Sequence, residues 1–83
     1  MARRRSIEKI QTAKFITIGE LARLTNTRYS TLKYYTEEGM LPFTQEDERL
    51  TRRYEREKVI PILEEINMLK KMGYRIEEIK QQL

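Results

Sequence analysis

The strongest constraint on the fold is a pair of short helical segments between residues 17 and 39. Thr17-Ile18-Gly19-Glu20 has the pattern of a capping box, in which the threonine hydroxyl accepts from the Glu20 amide while the glutamate carboxylate accepts from the Thr17 amide. Apolar residues follow at helical spacing, and Asn26 tolerates the left-handed conformation that ends a helix. The pattern predicts a first helix of about two turns.

A second helix is predicted from about Arg28 to Glu38, because Gly39 is the usual residue just after a helix end. Two short helices joined by three or four residues form a helix-turn-helix, whose second helix can enter the major groove of DNA.

Residues 43–54 have a different character. The acidic centre Glu46-Asp47-Glu48 lies between Phe43-Thr44 and Arg52-Arg53-Tyr54, which predicts a short hairpin or loop with a polar tip.

Two further helices are predicted after residues 43–54, the segment referred to below as the wing. Apolar residues recur at helical spacing from Val59 to Met72, and Gly73 ends this helix. A proline is tolerated only in the first turn, so Pro61 predicts a start near Lys58 or Val59. A last helix carries Ile76, Ile79 and Leu83 on one face.

The predicted fold is therefore mainly α, a winged helix-turn-helix with a short β-hairpin wing and two further helices. We expect residues 1–14 to form a loose basic arm, in which a helical turn would place Ile7 and Ile10 together. The folded domain is expected over residues 15–83.

Composition excludes several function classes. The 83 residues contain no cysteine and no histidine, which excludes disulfides, zinc ribbons, thiol catalysis and histidine acid–base chemistry, and leaves open only an oxygen-ligand metal site. Adjacent glutamate pairs splay around a helix and form solvated faces, so we predict no enzyme, cofactor or metal.

No run approaches the ~20 apolar residues of a membrane helix, and no secretory signal follows Met1, so we predict a cytoplasmic, nucleoid-associated protein without membrane partners.

Charge is unevenly distributed along the chain. Residues 1–33 carry eight basic and two acidic side chains, residues 34–48 carry five acidic and no basic ones, and residues 49–58 are again basic. A polarised basic face favours a polyanion such as nucleic acid, although an ordinary solvated surface has the same composition.

Helical spacing predicts which residues of the second helix point outward and could contact DNA. With Leu32 pointing inward, Tyr35 stays near the core side, whereas Ser30, Lys33 and Tyr34 point away. Arg28 and Tyr29 lie at the exposed N-terminal end. Arginine and serine can bond base edges, and lysine and tyrosine suit phosphate oxygens.

Three segments of the chain resemble the DNA-binding domain of the MerR family. They are the string from Phe15 to Leu24, Thr31-Leu32-Lys33-Tyr34-Tyr35, and Glu38-Gly39-Met40-Leu41-Pro42. Arg52-Arg53-Tyr54 looks like the wing of that family, and residues 69–80 look like its third-to-fourth helix segment. The resemblance covers residues 15–83.

This resemblance implies a recognition helix in the major groove and a wing on the adjacent DNA backbone. It places Arg28, Tyr29 and Ser30 at base edges. Eight residues are expected at phosphates: Thr17, Lys33, Tyr34, Tyr35, Arg52, Arg53, Tyr54 and Lys58. Arg3, Arg4 and Arg5 are expected either in a neighbouring minor groove or in a disordered tail.

Several positions depart from the family pattern. Arg28 stands near the usual N-cap serine and cannot cap in that way, so the helix start or Thr27 must compensate. Lys33 and Arg53 replace the usual arginine and tyrosine. The wing tip, which normally contains glycine, is acidic, so we expect it to point outward or toward a protein neighbour.

The chain lacks the long dimerisation helix and effector domain of typical members, so it resembles either a short stand-alone member or an excised domain. We expect a sequence-specific double-stranded DNA-binding transcriptional regulator that acts as paired or cooperative copies, without a small-molecule effector. The alternatives are a DNA-architectural factor of a mobile element, either an excisionase-type recombination directionality factor or a plasmid-maintenance protein, and a protein-interaction module.

Overall fold

The computed structural model describes residues 5–83, which fold into five helices and one small antiparallel sheet. In chain order the elements are α1 (Ile7–Thr12), β1 (Phe15–Ile16), α2 (Ile18–Thr25), α3 (Tyr29–Glu37), β2 (Tyr54–Glu55), α4 (Arg56–Lys71) and α5 (Ile76–Gln82). Helices α2 and α3 are the helix-turn-helix, and α4 and α5 follow the wing. The predicted mainly α winged helix-turn-helix is confirmed.

Both predicted ends of α2 are confirmed. The Glu20 amide donates to the Thr17 hydroxyl over 3.2 Å, and the Thr17 amide donates to the Glu20 carboxylate over 2.9 Å. At the other end Asn26 adopts the left-handed conformation with φ 52°, and its amide donates to the Ala22 carbonyl. The turn is therefore fixed by local chemistry on both sides.

Helix α3 begins without a side-chain cap. Arg28 is the N-cap residue and makes no capping hydrogen bond. The Thr27 hydroxyl instead bonds to Thr25, so it does not compensate. The helix ends as predicted at Gly39, where φ is 77° and the Met40 amide donates to the Tyr35 carbonyl over 2.9 Å.

Strand β1 pairs with β2, so that Phe15 lies opposite Glu55 and Ile16 opposite Tyr54. The wing hairpin closes at a separate bridge in which Thr44 and Arg53 exchange two backbone hydrogen bonds of 2.7 and 2.9 Å. The predicted hairpin is therefore present, with its tip over residues 45–52.

Helix α4 starts at Arg56, ahead of the predicted Lys58 or Val59, and Pro61 consequently lies in the second turn rather than the first. The start is anchored from outside the helix, because the Arg56 amide donates to the Lys14 carbonyl and its Nε donates to the Ala13 carbonyl. The exposed Pro61 removes one amide donor near the helix start, and the helix continues through it.

The segment predicted as a loose arm differs from that expectation over α1. The Ser6 hydroxyl caps α1 by accepting from the Lys9 amide, and Ile10 is completely buried beneath α2. A single apolar side chain therefore attaches a short helix to the core. The core consists of Ile10, Ile16, Leu21, Leu32, Tyr35, Met40, Leu41, Tyr54, Val59, Leu63, Ile66, Leu69 and Ile79.

None of the helices between residues 5 and 83 combines the length and apolarity needed to cross a membrane.

Candidate nucleic-acid interface

The exposed face of α3 carries most of the side chains predicted to contact DNA. The buried side of the helix consists of Leu32, Tyr35 and Thr36. The opposite side exposes Tyr29 by 55% and Tyr34 by 46%. Three further exposed residues complete the face: Arg28, Ser30 and Lys33. The amphipathic pattern of α3 thus leaves an aromatic and basic surface uncovered.

Two grooves border this face. Tyr29 and Lys33 line a groove that is closed on its far side by the wing, including Arg52. Ser30 and Tyr34 line a second groove together with Lys70 from the end of α4. Of the residues predicted to contact bases, Tyr29 therefore borders the wing, and Ser30 borders the groove on the α4 side.

The wing presents its two arginines differently. Arg52 lies over the Phe43 ring, with its guanidinium carbon 4.7 Å from the ring centre, and its Nη1 donates to Glu37 over 3.2 Å. Arg53 uses its backbone for the bridge to Thr44 and keeps an exposed side chain. Arg52 lines the groove beside α3, whereas Arg53 lines a separate groove together with Phe15 and Leu50.

The acidic wing tip is exposed and internally hydrogen-bonded. The Gln45 side-chain amide donates to the Leu50 carbonyl over 2.7 Å, and the Arg49 amide donates to the Asp47 carboxylate over 2.9 Å. Glu46 and Glu48 are both exposed. Glu48 borders the groove shared with α3, so the tip is not directed wholly away from that surface.

Tyr35 does not belong to the phosphate-contacting set. Its side chain is only 2% exposed, and its hydroxyl accepts from Lys70 Nζ over 3.2 Å. The face assignment from Leu32 was right, and the role implied by the family resemblance is wrong for this residue. Burial leaves no ring surface for DNA.

The predicted phosphate contact of Tyr54 is also wrong, because this side chain is buried. It is completely buried, and its hydroxyl shares a 2.8 Å hydrogen bond with the Thr36 hydroxyl. This bond satisfies both polar groups in the core and joins the wing strand to α3. Tyr54 therefore acts as a structural residue, not as a phosphate contact.

Two other residues predicted at phosphates have partners within the protein. The Thr17 hydroxyl accepts the capping bond from Glu20 and is half-buried. Lys58 is exposed, with its Nζ 3.7 Å from a carboxylate oxygen of Glu55. An exposed pair of this kind contributes little free energy, so Lys58 can exchange Glu55 for another anion.

Arg5 is held against α2 and does not extend as an arm. Its Nε and Nη2 each donate to Glu20 over 2.6 Å, and Arg23 donates to its carbonyl. This side-chain hydrogen bonding lowers the pKa of Glu20 from 4.5 to about 2. The Arg5 side chain is therefore paired within the protein, and its contact with a minor groove stays a prediction, while Arg3 and Arg4 lie outside the described residues.

Two residues that border the predicted DNA-contacting face of α3 were not identified from the sequence. Lys70 borders the groove beside Tyr34, and Glu37 holds Arg52. Glu37 follows Lys33 by one helical turn, so helical spacing alone would have placed it on the same face. Nothing in the sequence pattern signals that Lys70 approaches α3, because this depends on the packing of α4. Within residues 5–83 no cluster of acidic side chains is arranged to hold a metal ion.

An exposed second helix, flanked by a β-hairpin wing with arginines on the bordering segment, defines the class of winged helix-turn-helix DNA-binding domains. A family model described as MerR HTH family regulatory protein matches residues 16–83, and the chain belongs to this family. No curated protein and no solved structure matches the chain.

Proposed function

We propose that this protein recognises a specific double-stranded DNA sequence and regulates transcription. The observation that carries the proposal is the uncovered face of α3 beside the wing, where Tyr29 and Lys33 share a groove with Arg52. DNA-binding helices of this type place their N-terminal residues at base edges in the major groove. Membership of a DNA-binding regulatory family supports the same conclusion.

The contacts divide into two groups in this proposal. Arg28, Tyr29 and Ser30, at the start of α3, contact base edges. A second group contacts phosphates and fixes the register on the duplex: Lys33, Tyr34, Arg52, Arg53 and Lys58. The Thr17 hydroxyl retains its capping bond and adds a phosphate contact as a donor.

One copy offers a limited interface, since a single small module buries about 600–1,000 Å² of protein surface on DNA. Specific regulation therefore calls for paired or cooperative copies on repeated half-sites. A cytoplasmic location in contact with the nucleoid follows from this function, and no small-molecule effector is required for it.

The test is selection of the purified chain on a random duplex library, with sequencing of the retained DNA and titration of the enriched duplex in rising salt. We expect an enriched motif with repeated half-sites. Retention without an enriched motif would instead indicate an architectural DNA binder. Absence of retention at low salt would overturn DNA binding and favour a protein partner.

A further inference from the structure

The guanidinium of Arg52 is restrained on two sides. Its guanidinium carbon lies over the Phe43 ring, 4.7 Å from the ring centre, and its Nη1 donates to the Glu37 carboxylate over 3.2 Å. The Arg52 side chain is 33% exposed, and the Glu37 side chain is 53% exposed. Arginine has five donors in a fixed fork, so one bond to Glu37 leaves others available for a phosphate oxygen in a defined direction.

Glu37 lies where a negative charge is unexpected in a DNA-binding surface. It follows Tyr29 and Lys33 at four-residue spacing, and all three line the groove that the wing closes. A carboxylate there repels phosphate unless a cation compensates for it, and Arg52 is that cation. The pair therefore adds no net charge to the groove.

We propose that Glu37 is a specificity-determining residue that positions Arg52 and offsets its charge. The proposal rests on the function proposed above and deepens it. An unpaired arginine on a flexible stem can reach phosphates in many DNA registers and strengthens binding to every sequence. The restrained Arg52 contacts a phosphate well only in the register that the base contacts define, so Glu37 weakens binding to random DNA more than binding to the preferred site.

The proposal is tested with Glu37→Gln, which retains an oxygen acceptor for Arg52 and removes the charge. Affinity for a random duplex is expected to rise about two- to fivefold, the range typical of an exposed charge pair. The salt dependence on random DNA should steepen by about one unit of log–log slope. At the enriched site the gain should be cancelled by the weaker hold on Arg52, so the ratio of specific to random affinity falls.

Glu38→Gln provides a matched control one residue away. Glu38 pairs with Lys80 over 3.1 Å and not with the wing, yet the substitution removes the same charge. It should change specific and random binding by equal factors and leave their ratio unaltered. Thermal melting of both variants checks that each remains folded.

The double variant Glu37→Gln/Arg52→Ala shows whether Glu37 acts through Arg52. In the Arg52→Ala background, Glu37→Gln should no longer change the specificity ratio. The proposal is overturned if the ratio in Glu37→Gln equals that of the wild type, or if the change persists without Arg52. A wild-type protein with no preferred sequence would overturn the proposed function and this assignment together, so the two failures are distinguishable.

Discussion

Arg28 occupies the N-cap position of α3 without capping it, and its exposed side chain is available for a base edge. Arg28→Ala should lower affinity for the enriched site by about 1–3 kcal/mol and relax its sequence preference. The melting temperature should change little, because no capping bond is lost. Fluorescence anisotropy on specific and random duplexes measures both effects.

Lys9→Ala is the charge-matched control for Arg28, since Lys9 lies on α1 away from both grooves. Equal losses on specific and random DNA in Arg28→Ala would show that Arg28 contacts phosphate and does not recognise bases.

The Arg5–Glu20 pair makes stability depend on pH. The folded-state pKa of Glu20 is about 2, below its ordinary 4.5, so the folded protein retains the ionised form to lower pH. Its stabilisation is present above about pH 4.5 and is lost as the pH falls toward 2. In denaturant titrations the free energy of unfolding should decline over this window, and Glu20→Gln should decline less. Parallel curves for the two proteins would contradict the assignment.

The tyrosines show what a sequence reveals about a residue and what it does not. Helical spacing from Leu32 correctly placed Tyr34 outside and Tyr35 inside. It gave no information about Tyr54, because burial of this residue depends on β1, which is distant along the chain. The pairing of Arg5 with Glu20 was hidden for the same reason.

At the level of elements, the end of α3 depends on the backbone of Gly39. Its φ of 77° strains any L side chain, although an added Cβ would meet no atom within 4 Å. Gly39→Ala should therefore cost about 1–2 kcal/mol and lower the melting temperature by ~4–8 °C per kcal/mol. Calorimetry measures the shift.

Gly19→Ala is the matched comparison within α2. Gly19 lies in a helix, and the nearest atom to its added Cβ is the Thr17 hydroxyl oxygen at 3.9 Å, an ordinary contact. Alanine is favoured over glycine by roughly 0.5–1 kcal/mol in the middle of a helix, and Gly19 is the second residue of α2, so this variant should melt no lower than the wild type. A similar loss of stability in both variants would mean that side-chain volume, and not backbone conformation, controls the effect.

Helix ends that are set by neighbouring residues in the sequence were predictable, and helix ends that depend on contacts with distant residues were less so. The capping box and the two helix stops fixed α2 and the end of α3. The start of α4 was misplaced because its anchor is the carbonyl pair Ala13 and Lys14, which are remote in sequence. The packing of helix α1 against the core was not predicted, because it depends on one buried residue, Ile10, and a single apolar residue gives no periodic pattern.

At the scale of the whole molecule, the small interface proposed for one copy leads us to expect specific binding that depends on neighbouring copies. We expect the enriched duplex with both half-sites to bind more tightly per site than a duplex with one half-site destroyed. Insertion of about five base pairs between half-sites rotates them by half a helical turn and should remove that advantage. Equal affinity per site in all three duplexes, measured by anisotropy, would indicate independent monomers.

The pairing of β1 with β2 also has a kinetic consequence. It brings Ile16 against Tyr54 and encloses α2, α3 and the wing in a single closed loop, which Arg56 secures through Ala13. Closing a loop of this length carries an entropic cost before the contacts inside it can form. Helix α3 and the wing should therefore fold and unfold as one cooperative unit, and a duplex that engages either of them should stabilise the entire domain.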